Sequence, residues 1–600
     1  MTLNRRDFLR LFSTSIAIAP IACSSTPDET PGGTTSTPDI SNKYFPQGVA
    51  SGDPKPAQVL LWTRVEPTAL GKAATDTIEV QYVIALNESL SEIVASGTFS
   101  AKPEADHTVR VIATALTPAT KYFYRFSVGE FTTQVGRTKS APAADTDTPV
   151  NFAFASCQDF GGRYYHAWKA LLDEKADLDF VLFLGDYIYE TVDDERFQDV
   201  DPARVVKLVD GKDISDKQDK SKNAASTVAD YRMLYKTYRT DEHLREVHRL
   251  YPFISIWDDH EFANDCWGDH TTDFGELDPK TKGFTDEKDT SRRNAASQAW
   301  AEYQLADITF DAAKTFPENI AIYRSFNYGK HVDIVCTDQR MFRDDHVITE
   351  GGPNEAEVGK IFQNSEVGTR LFVKKDGFDP REAAKKPTML GAKQKQWFID
   401  QMKGSKATWK LWANEVQLWE GVLDLTPFTQ LVDSLRAKFY LTCDQWDGYR
   451  SERAEILKAL SGVTNLVACT GDIHSFNASE LHVDFGAPTA KPVGVEYVTA
   501  GISSSSIYSI LERTVAASPV LTGLKLPELI PQIDEVLKKG APYLKHADSK
   551  GNGVSLMSVT AAQIDVTFIK TGDPTKKADT GVKSRVKFRT MAGSNTITTV

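Results

Sequence analysis

The sequence predicts an α/β domain of layered sheets flanked by helices, preceded by an all-β sandwich of immunoglobulin or fibronectin type. Three observations carry that prediction. Between Phe45 and Ser140, short alternating segments follow one another with turn residues between them and no helical period. From Asn151 onward, apolar runs alternate with helix-period patterns. Several of those runs stop at a polar cluster, the strand tip where an α/β sheet places ligands. At 600 residues the chain is also longer than one core usually holds, so two domains are expected.

The N-terminus reads as an address. Asn4-Arg5-Arg6-Asp7-Phe8-Leu9-Arg10 resembles a twin-arginine export signal, a route that carries folded protein. Leu11 to Ala22 is apolar but too short to span a bilayer as a helix. Cys23, after Pro20-Ile21-Ala22, resembles the lipidation cysteine of a bacterial lipoprotein, and cleavage after Ala19 or Ala22 without lipid is the alternative. Residues 1–23 are thus expected to be a signal and 24–43 a flexible tether, too rich in Ser, Thr and Pro to bury a core. The expectation is a periplasmic or cell-surface monomer, with a lipid anchor to the membrane at Cys23 as one outcome. A formal net charge of −13 argues against a nucleic-acid partner, which needs a basic surface. Cys157, Cys266, Cys336, Cys443 and Cys469 show no paired spacing that indicates a disulfide framework or zinc ribbon.

Along the chain, Gln58–Arg64, Ile78–Ile84, Thr108–Ile112 and Tyr122–Phe126 alternate as half-buried strands, which defines a first domain over 44–140. Residues 141–148 are small and acidic and serve as a linker. The second domain, 150–571, opens with strand Phe152–Ala155, a helix burying Trp168, Leu171, Leu172 and Ala176, and strand Phe180–Leu184. A Lys/Asp-rich loop over 193–226 leads to a helix with Val228, Tyr231, Leu234, Tyr235 and Tyr238 on one face, then to strand Phe253–Trp257. Strands follow at Val332–Val335, Leu411–Ala413 and Leu466–Thr470, helices within 507–544, a last strand over 559–569, and a tail from 572 to 600.

The chemistry sits at the strand ends. They finish in Ser156-Cys157-Gln158, Gly185-Asp186-Tyr187-Ile188-Tyr189-Glu190, Trp257-Asp258-Asp259-His260-Glu261, Asn414-Glu415 and Gly471-Asp472-Ile473-His474. If these strands are neighbours in one sheet, their tips bring together a thiolate, a phenolate, carboxylates and imidazoles. Such a cluster repels itself unless cations neutralise it. Thiolate and phenolate favour ferric iron, carboxylate and amide oxygens favour calcium or magnesium, and Asp186 is placed to bridge them. Two ions roughly 3.5–4 Å apart clamp the attacking and leaving oxygens of a phosphoryl displacement.

These stretches, together with Val49-Ala50-Ser51-Gly52-Asp53-Pro54, Leu60–Arg64 and Asp444-Gln445-Trp446-Asp447-Gly448-Tyr449, resemble the metallophosphoesterase superfamily, and in detail the PhoD-type alkaline phosphatases. The ordered set covers the chain from about 45 to 570. The resemblance implies a four-layer α-β-β-α catalytic domain acting on phosphate esters by activated water. It implies ferric ligands at Cys157, Asp186, Tyr189 and His474, calcium ligands at Asp186, Asp259 and Asp472, and a proton donor at His260. Asn414 stands near a further metal-ligand position and offers an amide oxygen to calcium. The resemblance favours Asp259 over Asp258 as the residue that projects into the site.

Bland readings stand beside these. Cys157 as an inert buried thiol, 258–261 as a turn with a helix cap, and 444–449 as structural packing each account for the same residues. Arg163, His166, Glu190 and Asn264 border the pocket on no decisive sign. A phospholipase D-like diesterase is the alternative within enzymes, and access through 193–226, 343–386 and the segment from 507 controls that choice. A non-catalytic surface-binding lipoprotein is the alternative outside them.

Overall fold

Five consecutive buried apolar residues, Phe180–Leu184, need cover on both faces, which a strand finds inside a layered α/β structure. This strand lies parallel between Val150–Ala155 and Phe253–Ile256. The computed structural model describes residues 41–600 apart from 195–196, 215–222, 272–286, 349–365, 369, 488–490, 518–521 and 524–525. The export signal, Cys23 and most of the tether lie outside the described residues, as do parts of the 193–226 and 343–386 loops.

The first sheet runs in the order Thr598–Thr599, Val582–Met591, Gln563–Thr571, Gly553–Val559, Val150–Ala155, Phe180–Leu184, Phe253–Ile256, Val49–Lys55, Gln58–Arg64 and Thr108–Thr114. The second runs Arg324–Tyr328, Val332–Cys336, Trp409–Asn414, Leu466–Thr470, Gly494–Val498, Phe476–Leu481 and Leu544–Asp548. Strand parity shows how they stack. Leu411 and Ala413 share a core with Phe154 and Leu182 of the first sheet, whereas Trp412 between them packs with Phe398 and Ile456 of the helices Gly391–Gly404 and Arg450–Ala459. Helices His166–Glu174 and Glu242–Leu250 pack on the first sheet. The layers are therefore helix, sheet, sheet, helix.

The expectation of one sheet is corrected here. The tips after Ala155, Leu184 and Ile256 come from the first sheet, those after Asn414 and Thr470 from the second, and the two sets meet where Ser156 bridges to Gly501.

The all-β sandwich is present, built over Val80, Ile84, Val109, Tyr124 and Phe126. Its outer sheet contains Ile93–Ala101, Ile78–Ala85, Lys121–Val128 and Phe131–Thr132. Its facing sheet is the edge of the large one, because Val49–Lys55 pairs in parallel with Phe253–Ile256. The tail expected from 572 instead contains the ten-residue strand Val582–Met591, paired along Gln563–Thr571. The last strand expected over 559–569 is two strands turning between Val559 and Gln563.

Candidate metal centre

The backbone leaves the strands ending at Ala155, Leu184 and Thr470 through constrained turns. Cys157, Asp186, Asp472 and His474 have φ of 60, 55, 63 and 51°, a region that non-glycine residues avoid and that is held at a cost of about 1–3 kcal/mol each. Gly185, at φ 102°, packs so closely that an added Cβ would fall 2.6 Å from the Asp258 backbone nitrogen. The Glu261 carboxylate fixes this junction by accepting from the backbone nitrogens of Asp186 at 3.0 Å, Tyr187 at 2.6 Å and Asp258 at 2.7 Å. Asp258 also caps the short 3-10 turn Asp259–Glu261 in a capping box. The cap reading of 258–261 and the site reading thus hold together.

Two groups of donors share Asp186. In the first, ligand atoms of Cys157, Asp186 and His474 lie within 4.8 Å of one another. The Tyr189 hydroxyl joins them, donating to Asp186 Oδ2 at 3.0 Å, lying 3.1 Å from His474 Nε2 and accepting from Ser504 Oγ at 2.7 Å. His474 Nδ1 lies 2.6 Å from the Ser505 carbonyl, so a proton held there leaves Nε2 free as a ligand. In the second group, Asp186, Asp259 and His260 meet within the same limit, and Asp259 also meets Asp258 and Asp472. The His260 ring packs against Tyr189, and its Nδ1 is 2.7 Å from Glu190 Oε2.

Electrostatics match this crowding. Burial pushes Cys157, Asp186 and Tyr189 well above their usual ranges, with neighbouring acidic groups adding to the effect. Burial, opposed by Arg340 but reinforced by Asp259 and Asp444, lifts Asp472 to about 8. Burial lowers His474 to about 4, the neutral form a metal ligand needs. Burial opposes charge on His260, yet Glu190, Asp259 and Asp186 outweigh it and hold the imidazole protonated.

The residues fit cations. Asp186 Oδ1 is buried and has no hydrogen-bond partner, as is Asp258 Oδ2, a condition native proteins seldom leave uncompensated. Sulfur, phenol, imidazole and carboxylate on one side suit a transition ion, and the carboxylates of Asp186, Asp258, Asp259 and Asp472 on the other suit a hard divalent one.

Asn414 is the exception among the expected residues. Its parity on Trp409–Asn414 puts it on the Trp412 face of the sheet. There Oδ1 accepts from Gln339 Nε2 at 2.8 Å and Trp446 Nε1 at 3.1 Å, while Nδ2 donates to the Val416 carbonyl and to Thr470 Oγ1 at 2.9 Å. All four of its hydrogen-bonding positions are taken within the protein, so the expectation of a calcium ligand is corrected to a structural amide. In the 444–449 stretch, Trp446 packs on Trp412 and Asp447 pairs with Arg453 at 2.7 Å, which is the structural reading. Of the bordering residues, Glu190 orients His260, Arg163 Nη2 is bound to the Phe197 carbonyl and Ser505, and His166 faces the Lys576 carbonyl.

Arg340 and Ser504 were not foreseen. Arg340 lies among Asp258, Asp444 and Asp472. The strand-tip rule, applied to Val332–Cys336 and Gly494–Val498, points to both. Asp338-Gln339-Arg340 and Ser503-Ser504-Ser505 follow those strands as the other clusters follow theirs.

Comparisons with known proteins agree with this geometry. The family model for PhoD-like phosphatases matches residues 152–568, and that for the N-terminal domain of PhoD-like phosphatases matches 32–142. Alkaline phosphatase D of Bacillus subtilis (strain 168) is 32% identical over 478 residues, covering 78% of this chain and 70% of that protein. A solved structure of PhoD aligns with a TM-score of 0.70 at 26% identity, over 94% of this chain and 93% of that one. The chain belongs to the PhoD-like phosphatase family and is a metal-dependent phosphoric ester hydrolase.

Proposed function

We propose that this chain is an exported alkaline phosphatase D-like phosphomonoesterase and phosphodiesterase. It holds ferric iron with Cys157, Asp186, Tyr189 and His474, and calcium with Asp186, Asp259 and Asp472. The observation that carries this reading is Asp186 itself, bonded to Tyr189 through Oδ2 and left with a buried, unpaired Oδ1 between the two donor sets. When bound, such a pair of ions supplies Lewis acidity, neutralising phosphoryl oxygens and making water a competent nucleophile for in-line attack.

The protein's own part is positioning and proton supply. The constrained tips hold the carboxylates, thiol and phenol in place with little left to reorganise. His260, kept charged by Glu190, delivers a proton from Nε2 to the departing alkoxide. The twin-arginine motif supports an address outside the cytoplasm, and Cys23 supports a lipid anchor there. Metal analysis of purified wild type and Cys157→Ala by mass spectrometry tests the ligand set, and full iron retention in the variant would falsify it. Rates on a phosphomonoester, a phosphodiester and a phospholipid decide the ester class.

A further inference from the structure

The divalent half of the centre already contains a cation of its own. Arg340 follows the strand Val332–Cys336 and is fully buried. Its Nε donates to Asp258 Oδ1, and its Nη1 meets both oxygens of Asp444, at 3.1 and 2.9 Å. Nη2 donates to Asp472 Oδ1 at 3.0 Å and lies 3.7 Å from Asp259 Oδ1. The turn that carries it is tied down, since Asp338 Oδ1 accepts from the Arg340 nitrogen at 3.0 Å and the Arg340 carbonyl accepts from Gly268 at 2.8 Å. Asp444 is gripped from its other side by Arg343 Nη2 at 2.9 Å and His346 Nε2 at 2.7 Å. The sulfur–phenol half is contacted by the Ser156 hydroxyl at Cys157, the Ser504 hydroxyl at Tyr189 and the Ser505 carbonyl at His474.

Buried carboxylates without a counter-charge repel one another and disfavour the fold. A planar guanidinium with five donors compensates several at once in fixed geometry, and it does so whether or not a metal is present. We infer that Arg340 is a positioning residue that keeps Asp259 and Asp472 in their binding arrangement when the divalent ion leaves. That ion then exchanges reversibly with the medium while the protein stays folded and keeps its transition ion. The inference rests on the proposed division of the centre into ferric and calcium halves.

The test uses the full chain, purified in calcium and then dialysed against EGTA, with calcium content, iron content, visible absorption and melting temperature measured before, after, and on calcium return. Wild type is expected to lose calcium, to keep iron and colour, and to melt at nearly the same temperature throughout. Arg340→Met is expected to melt several degrees lower in EGTA than in calcium, with recovery when calcium returns. Should Arg340→Met fail to accumulate as folded protein, Arg340→Lys carries the test, and a greater sensitivity to EGTA than wild type supports the inference. An EGTA response equal to that of wild type in the variants, or a wild type that falls as far as they do, overturns it. Wild type that takes up no calcium at all fails the ferric–calcium reading, and this inference with it.

Discussion

His260 Nδ1 stands 2.7 Å from Glu190 Oε2, and Glu190, completely buried, turns its other oxygen to the Asn264 backbone nitrogen at 2.9 Å. The carboxylate therefore cannot swing away, and it fixes both the orientation and the charge of the imidazole. Because the folded pKa of His260 is raised, its acid form persists as pH rises and is lost only above that raised value. Glu190→Gln is expected to lower kcat about a hundredfold on alkyl esters and to move the basic limb of the pH–rate profile to lower pH. Esters with good leaving groups should lose much less. A basic limb that stays in place would remove His260 from the proton-donor role.

Loss of sulfur or phenol should remove iron. Cys157→Ala and Tyr189→Phe are expected to lose visible absorption, iron and activity together, whereas Asp259→Ala should abolish activity with iron largely kept. Ser504→Ala tests the intermediate case. Its hydroxyl donates to Tyr189 at 2.7 Å, so its removal is expected to shift the absorption band without emptying the site. Spectra recorded beside metal analysis check all four variants.

Metal uptake should release protons. Asp472 titrates at about 8, and burial holds Cys157, Asp186 and Tyr189 protonated in the metal-free protein. Ligands must be deprotonated, so affinity is expected to climb with pH toward about 8. The sign for stability follows from the same shift. Between the ordinary carboxylate pKa of about 4 and about 8, the folded metal-free state binds more protons than the unfolded one. Its stability therefore falls as pH rises through that window. Dye-monitored proton release in weak buffer, and melting curves of chelated protein from pH 5 to 8, check both points.

Asn414→Ala should act on the fold and not on the metals. Truncation leaves the Gln339 and Trp446 donors and the Thr470 hydroxyl short of a partner, at about 1–3 kcal/mol. Iron and calcium content per folded chain is expected to match wild type, and a drop in calcium alone would restore Asn414 to the ligand set.

Legibility in the sequence followed the physics of each element. Phe180–Leu184 and Leu466–Thr470 could be read to the residue because a strand covered on both faces admits little but apolar side chains. Strand-end position singled out the clusters around Cys157, Asp186 and His474, while the resemblance to a known family supplied the individual ligands and the choice of Asp259 over Asp258. Asn414 misled because strand-end position says nothing about which face a side chain takes, and parity placed it with Trp412. Arg340 follows a strand end as the others do, but its meaning arises from partners 82, 104 and 132 residues away. The shared sheet of the two domains was also hidden, since the alternation of Gln58–Arg64 is the same whether its neighbour is local or distant.

That shared sheet bears on how the chain folds. Gly52 registers against Phe253, and Ser555 against Phe154, so the central layer takes strands from both ends of the polypeptide. Closing pairings of such long sequence separation is slow. The flank of Val150–Ala155 stays unpaired during synthesis until Gly553–Val559 has emerged. A truncation near the C-terminus should accordingly expose the flank of Val150–Ala155 and produce aggregate in place of a smaller enzyme.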